Sequence, residues 1–366
     1  MNTYIRWLEE VGQDDRPEVG GKGAGLGELA PAGVKVPVGF VVTTGAFERF
    51  LTSVERDEPM RERMAVLEPQ DLESIRAESD AVRRRFEGTP LPGDVLEEIL
   101  RAHTRLCAED ANAAVAVRSS ATAEDTTQAS FTGLQDTFLW VRDPTDMIAR
   151  IRSCWASLYS PEAVSYRPKH GFAEAGAAMT VVVQRMVDAR TAGVMFTRSP
   201  TTGDRSVIVI EAAWGLGSAV VGGGVTPDHW VINKVALDLP FHTISDKAIQ
   251  HVPAPGGGIQ RVPVAEDLRH APSLSDAELR ALTAIGRKVE RHYGRPQDIE
   301  WAIDWKGKDG KGIFLLQCRP ETVWSSKDQI AIARFAKNPL THVMTIFGGR
   351  LGARGEGPVS ERERGE

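Results

Sequence analysis

Lys22 stands in GGKGAGLGEL (20 to 29), among Gly20, Gly21, Gly23, Gly25 and Gly27. Missing side chains let backbone N–H groups approach an anion while the lysine supplies a point charge, so phosphate is the natural ligand. The segment is not a Walker A motif, because Gly23 follows the lysine, and no GxGxxG frame fits. The alternative for this segment alone is a glycine-rich turn before a helix. A second element begins at Arg118, where an apolar run ends and SSATAEDTTQASFTG (119 to 133) follows; seven of these fifteen residues carry hydroxyls. Hydroxyl and backbone N–H donors around one arginine are what the oxygens of a triphosphate require. Its alternative is a flexible surface loop.

The third element is a hairpin, DIEWAID and IFLLQCRP joined by Trp305 to Gly312. Strand alternation puts Asp298, Glu300 and Asp304 on one face and Ile299, Trp301 and Ile303 on the other. If Asp304 pairs with Ile313, Glu300 faces Gln317 and Asp298 faces Arg319. Magnesium takes oxygen ligands, often one or two from protein, which suits Glu300 with Gln317, and Arg319 would grip phosphate oxygens bidentately. The alternative is a solvated hairpin edge with a surface salt bridge. Gln184 ends a valine-rich strand, where its amide can meet an adenine edge or simply face water. Glu211, ending another strand, is a weaker second acidic candidate, and His229 reads as an ordinary loop residue.

These residues need elements to hold them. The 35 glycines cluster at 20 to 29, 214 to 224 and 255 to 258, which marks three candidate site loops. Strands are predicted over Ala113–Val117, Met179–Gln184, Gly193–Thr197, Ser206–Glu211, Asp298–Asp304 and Ile313–Cys318. Short connections containing Gly193 and Gly203 suggest an antiparallel meander from the second to the fourth, and hence an α+β class. Two amphipathic helices are predicted between Pro59 and Asp110, with Leu72, Ile75, Val82 and Phe86, then Val95, Ile99, His103 and Leu106, as their apolar faces. Ser275 with Glu278 forms a capping box, stapled by Leu274 and Leu279, that opens a helix to Tyr293.

At about 150 residues per domain, a chain of 366 suggests two or three domains. Apolar runs of five or six residues fall short of the roughly 18 to 20 that span a bilayer, so no membrane role is expected. Met1 to Asp15 has no signal-peptide pattern, which places the protein in the cytoplasm on this reading. A net charge of −6, from 44 basic and 50 acidic residues, gives no footprint for nucleic acid. Cys107, Cys154 and Cys318 never form a CxxC pair and read as buried thiols. The polar tail from Arg350 to Glu366 is expected to be mobile.

From about Val19 to Thr322 the chain resembles the N-terminal nucleotide-binding domain of the phosphoenolpyruvate synthase, pyruvate phosphate dikinase and rifampicin phosphotransferase family. VGGKGAGLGEL, VPVGFVVTTGAF, AVRSSATAEDTTQASFTGLQDTFL, VVVQRMVDARTAGVMFTRSP, EAAWGLGSAVVGG, TPDHWVINK, QDIEWAID and LLQCRPET carry the resemblance in this order. It implies an ATP-grasp fold whose two subdomains clamp ATP, here 1–190 and 191–325, followed by a linker-like segment at 326–366. It implies that Lys22 and Arg118 bind phosphate and that Gly133, Thr137 and Phe138 lie near the nucleotide. It places Gln184 beside adenine, and Glu300, Gln317 and Arg319 at the metal and phosphates. The hairpin loop KGKDGKG departs from the family by its length. Family members pass the diphosphoryl group of MgATP to a histidine within Thr-Ser/Cys-His-Ala, releasing AMP, and none of the eight histidines here has that setting. The expectation is an enzyme of the ATP half-reaction, with Lys22, Arg118 and Arg319 catalytic and the histidine on a separate domain or subunit. A phenylphosphate synthase-like or antibiotic phosphotransferase subunit, a non-catalytic ATP sensor and an ADP-forming kinase are the alternatives.

Overall fold

Valine- and isoleucine-rich runs pair into two antiparallel sheets in the computed structural model, which describes residues 3–110, 112–121, 136–169, 177–239, 241–307 and 312–325. The first half of the chain carries β1 (Ile5–Trp7), α1 (Arg16–Gly27), β2 (Gly39–Val42), α2 (Thr44–Val54), α3 (Met60–Ala65), α4 (Leu72–Gly88) and α5 (Gly93–Leu106). It continues through β3 (Val115–Ala121), β4 (Thr137–Val141), α6 (Pro144–Ser157), α7 (Pro161–Lys169) and β5 (Met179–Arg185). Then come β6 (Ala189–Phe196), β7 (Val207–Trp214), α8 (Ser218–Val221), β8 (Asp228–Asn233), β9 (Phe241–Thr243), β10 (Ile249–Pro253) and β11 (Ile259–Pro263). Last are α9 (Glu266–Arg269), α10 (Asp276–Tyr293), β12 (Gln297–Asp304) and β13 (Ile313–Pro320). The class is α+β.

One sheet has the order β1-β2-β5-β3-β4, the other β13-β12-β6-β7-β8-β9, and β10 with β11 forms a separate hairpin. Helices α2, α4, α5 and α6 pack their apolar stripes on the five-stranded sheet, where Phe50 stacks on Trp155 at 5.0 Å. The predicted faces of α4 and α5 are buried except for Leu72, exposed in the first turn. Helix α10 begins at the Ser275–Glu278 capping box and stops at Gly294, whose φ of 66° suits a residue without Cβ. Its Leu279, Leu282 and Val289 cover Met195, Ile210, Trp230 and Trp301 of the six-stranded sheet. Because α10 and α1 occupy that face, the polar residues of β12 and β13 are turned to the other.

Four expectations change. The meander runs β6-β7-β8, whereas β5 belongs to the other sheet and the chain crosses between sheets at Met186 to Asp188. Gly193 lies inside β6, where a Cβ would meet Glu211 O at 1.9 Å, so it serves close strand approach rather than a turn. Strand β3 continues to Ala121, taking Ser119 and Ser120 out of the polar loop and into a buried strand. Cys154 and Cys318 are buried thiols, but Cys107 is only half-buried. The remainder of that loop and the tail from Arg350 lie outside the described residues.

Candidate active site

A cavity of about 980 Å³ lies between the two sheets, with Lys22, Arg118, Thr137, Phe138, Gln184, Glu300, Gln317 and Arg319 all on its wall. Gly133 lies outside the described residues. Arg118 is the hub. From β3 it reaches across to the hairpin, donating from Nη1 to Leu316 O at 2.7 Å and from Nη2 to Glu300 Oε2 at 3.0 Å and Gln317 Oε1 at 2.6 Å. Its Nε is buried without a hydrogen-bond partner. A buried donor left unmade costs about 1–3 kcal/mol.

The hairpin register explains why Leu316 O is available. Glu300 pairs with Gln317 and Asp298 with Arg319, as alternation predicts, but Ile313 pairs with Ile303 rather than Asp304. One extra residue, Leu316, is bulged between Gln317 and Leu315 and absorbs the difference. A bulge frees its backbone groups from the ladder and re-aims them, here toward Arg118. Arg319 Nε lies 3.4 Å from Asp298 Oδ2 along the same edge. Between them in sequence, Cys318 faces the core, and burial, followed by the Asp298 charge, pushes its thiol up to about 12. It stays neutral.

The glycine segment works differently from the cradle predicted for it. It is helical within α1, broken at Gly20 with φ 72° and ψ 173°, and Lys22 is the one residue of 20 to 29 on the cavity wall among the described residues. Lys22 donates its backbone N–H to Ser120 Oγ at 3.0 Å and its Nζ to Ser119 O at 2.9 Å. A Cβ on Gly20 would lie 2.5 Å from both Ser120 Oγ and Thr180 Oγ1. The glycines therefore press α1 against β3 and β5 and deliver one ammonium to the cavity.

Gln184 is 2% exposed rather than solvated, and its Nε2 donates to Pro37 O at 3.2 Å. It sits where the chain leaves β5 for the other sheet, beside an apolar floor of Met186, Val187, Leu216 and Leu316. Thr137 pairs with Arg118 across β3 and β4, and the Phe138 ring lies 4.8 Å under the Arg150 guanidinium. The other two glycine clusters reach the wall as well, through Gly217 and Gly222 and through Gly256 to Gly258. Gly258 N–H donates to Trp140 O at 3.0 Å, which ties the β10–β11 turn to the opposite sheet. Glu211 and His229 are not on this wall; both lie within strands, β7 and β8, rather than at a strand end and in a loop.

The cavity is apolar at the crossing between sheets and cationic at the hairpin, the polarity profile of a nucleotide. Glu300 and Gln317 converge on one guanidinium nitrogen, and both offer oxygen. Among the described residues no three His, Cys, Asp or Glu side chains gather as a protein-only cage. That donor set fits a magnesium ion whose remaining ligands come from phosphate and water.

Residues 16–338 match the pyruvate phosphate dikinase AMP/ATP-binding domain family, and the chain belongs to that family. It is similar to phosphoenolpyruvate synthase of Aeropyrum pernix, 41% identical over 360 residues that cover 90% of this chain and 44% of that protein. A probable phosphoenolpyruvate synthase of Methanothermobacter thermautotrophicus is 41% identical over 324 residues, covering 88% and 46%. Phosphoenolpyruvate synthase of Pyrococcus furiosus is 36% identical over 359 residues, covering 87% and 44%. The chain spans less than half the length of these curated relatives. Among the described residues no helix is long and apolar enough to cross a membrane.

Proposed function

We propose that the chain is an ATP-grasp module that binds MgATP in this cleft and transfers its diphosphoryl group to a histidine on a separate domain or polypeptide, releasing AMP. The observation that carries the reading is the convergence of Lys22, Arg118 and Arg319 with the oxygens of Glu300 and Gln317 at one end of a cavity whose other end is apolar. The subdomains are 1–190 and 191–325, with 326–366 a linker, and Gln184 stands beside the hinge.

The base lies on Met186, Val187 and Leu216 with the Gln184 amide at its edge, and the phosphates extend along β12 and β13. Thr137 and Phe138 flank the nucleotide from the other sheet. Lys22, Arg118 and Arg319 offset charge on the phosphoryl oxygens as the bond to the leaving AMP lengthens, so the protein contributes electrostatics and positioning. Magnesium, held by Glu300 and Gln317, would withdraw charge from the same oxygens. The Arg118 contacts to both carboxylate and amide hold that pair in place.

Product analysis tests this. MgATP is incubated with the chain, with and without a histidine-bearing acceptor polypeptide, and the nucleotide is separated by chromatography. AMP together with phosphohistidine is the expected result; ADP, or no turnover with a competent acceptor, contradicts it. Arg319→Ala is expected to lower AMP formation about a hundredfold or more while the circular dichroism spectrum stays native. Undiminished turnover would remove Arg319 from the mechanism. Running the assay with pyruvate, phenol and rifampicin identifies the final acceptor.

A further inference from the structure

Directly opposed residues on neighbouring strands point to the same face of a sheet. Gln317 opposes Glu300, Glu300 opposes Val194, Val194 opposes Glu211, and Glu211 opposes His229. This row carries the phosphate-end residues of the cavity straight across the open face to a second polar pair. Strands lie about 4.8 Å apart, so Glu211 stands about 10 Å from Glu300 along the backbone. His229 Nδ1 lies 3.3 Å from Glu211 Oε1, with side-chain exposures of 30% and 31%. The parallel row holds Val209, Val231 and Phe241, and the Phe241 ring stands edge-on to His229 at 6.0 Å.

A carboxylate there is badly placed to hold phosphate, which it repels. It is well placed for a hydrogen-bond donor that gains positive charge beside the phosphates. The other sides of the phosphate end are occupied by α1 next to β13 and by Arg118 above the hairpin. More than half the length of each matched relative lies outside the matched segment, so there is ample chain to bring an acceptor to this face.

We propose that Glu211 is the residue that receives the acceptor histidine: its free carboxylate oxygen accepts the ring N–H distal to the attacking nitrogen, and His229 orients it. The inference rests on the diphosphoryl-transfer reading. The proximal ring nitrogen forms a bond to the β-phosphorus, the bond from that phosphorus to the bridging oxygen breaks, and its electron pair leaves on AMP. The distal nitrogen keeps its proton, and the ring takes on a positive charge that Glu211 offsets. Val231 and Phe241 give the ring an apolar seat. Glu211 acts on the acceptor directly, whereas His229 is a positioning residue.

Imidazole itself is the probe. The chain is given saturating MgATP, and AMP release is followed as imidazole is raised. Glu211→Gln is expected to raise the half-saturating imidazole concentration about tenfold, the worth of one charge-assisted hydrogen bond, with the KM for ATP unchanged. Glu211→Asp recovers part of the loss, and His229→Asn gives a smaller rise of the same kind. If Glu211→Gln keeps the native half-saturation, or if the KM for ATP rises in parallel, the acceptor role is overturned while AMP formation keeps the diphosphoryl reading intact. Absence of imidazole-dependent AMP from the native chain overturns it as well. Formation of ADP in place of AMP overturns the underlying reading instead.

Discussion

Lys247 with Asp228 is a buried ion pair and Arg118 with Glu300 a partly buried one, and the two are finished to different degrees. Lys247 and Asp228 are wholly buried, with Nζ donating to Asp228 Oδ1 at 2.6 Å and to Ser245 O at 2.9 Å. The carboxylate also accepts from Ser245 N–H at 2.9 Å, from Ser273 N–H at 2.8 Å and from Ser273 Oγ at 2.7 Å. Nothing is left for a ligand to satisfy. Arg118 and Glu300 instead keep side-chain exposures of 10% and 29%, share Gln317, and leave Arg118 Nε without a partner. Burial of charge does not by itself mark a site; charge left incompletely satisfied on a cavity wall does.

The largest effect expected from this contrast is on stability. Lys247→Met leaves the Asp228 carboxylate buried without its counter-charge, which costs about 3–5 kcal/mol. Urea unfolding should show that loss, and a change below about 1 kcal/mol would mean that the serine donors alone support the carboxylate. His103 offers a smaller effect, because it is buried and, among the described residues, meets no counter-charge; its ring contacts Cys107 Sγ at 3.5 Å. Burial lowers its pKa, so below about 6.5 the unfolded chain binds more protons than the folded one. Its contribution is fully present above that pH and is lost as pH falls through the folded value. The urea midpoint of the native chain should drop from pH 7 to pH 5, and His103→Leu should flatten the drop; an equal drop in both would assign it to other groups.

The hairpin site was largely readable because strand alternation is a local rule. It placed Glu300, Gln317, Asp298 and Arg319 together, and only the end near Ile313 was a residue out, where the Leu316 bulge intervenes. Sequence spacing carries no sign of a bulge. Pairing between distant strands is less accessible: β5 and β6 both read as short apolar strands joined by a short connection, though they enter different sheets. The glycines of α1 announced missing side chains but not what fills their space, which is Ser120, Thr180 and, at Gly27, Val11 O. Arg118 could be singled out, but its reach to Leu316 O across 198 residues follows only from the way the sheets face each other. The row from Gln317 to His229 is not legible in the sequence, because β8 is short and polar residues interrupt it.

The most direct measurement is calorimetric titration of MgATP into the native chain and into Arg118→Met. The native chain is expected to bind, and the variant to bind about a hundredfold more weakly, since charge-assisted hydrogen bonds to phosphate are lost at the point that joins both sheets. An Arg118→Met protein with a native melting temperature and native affinity for MgATP would contradict the assignment of this cleft as the nucleotide site.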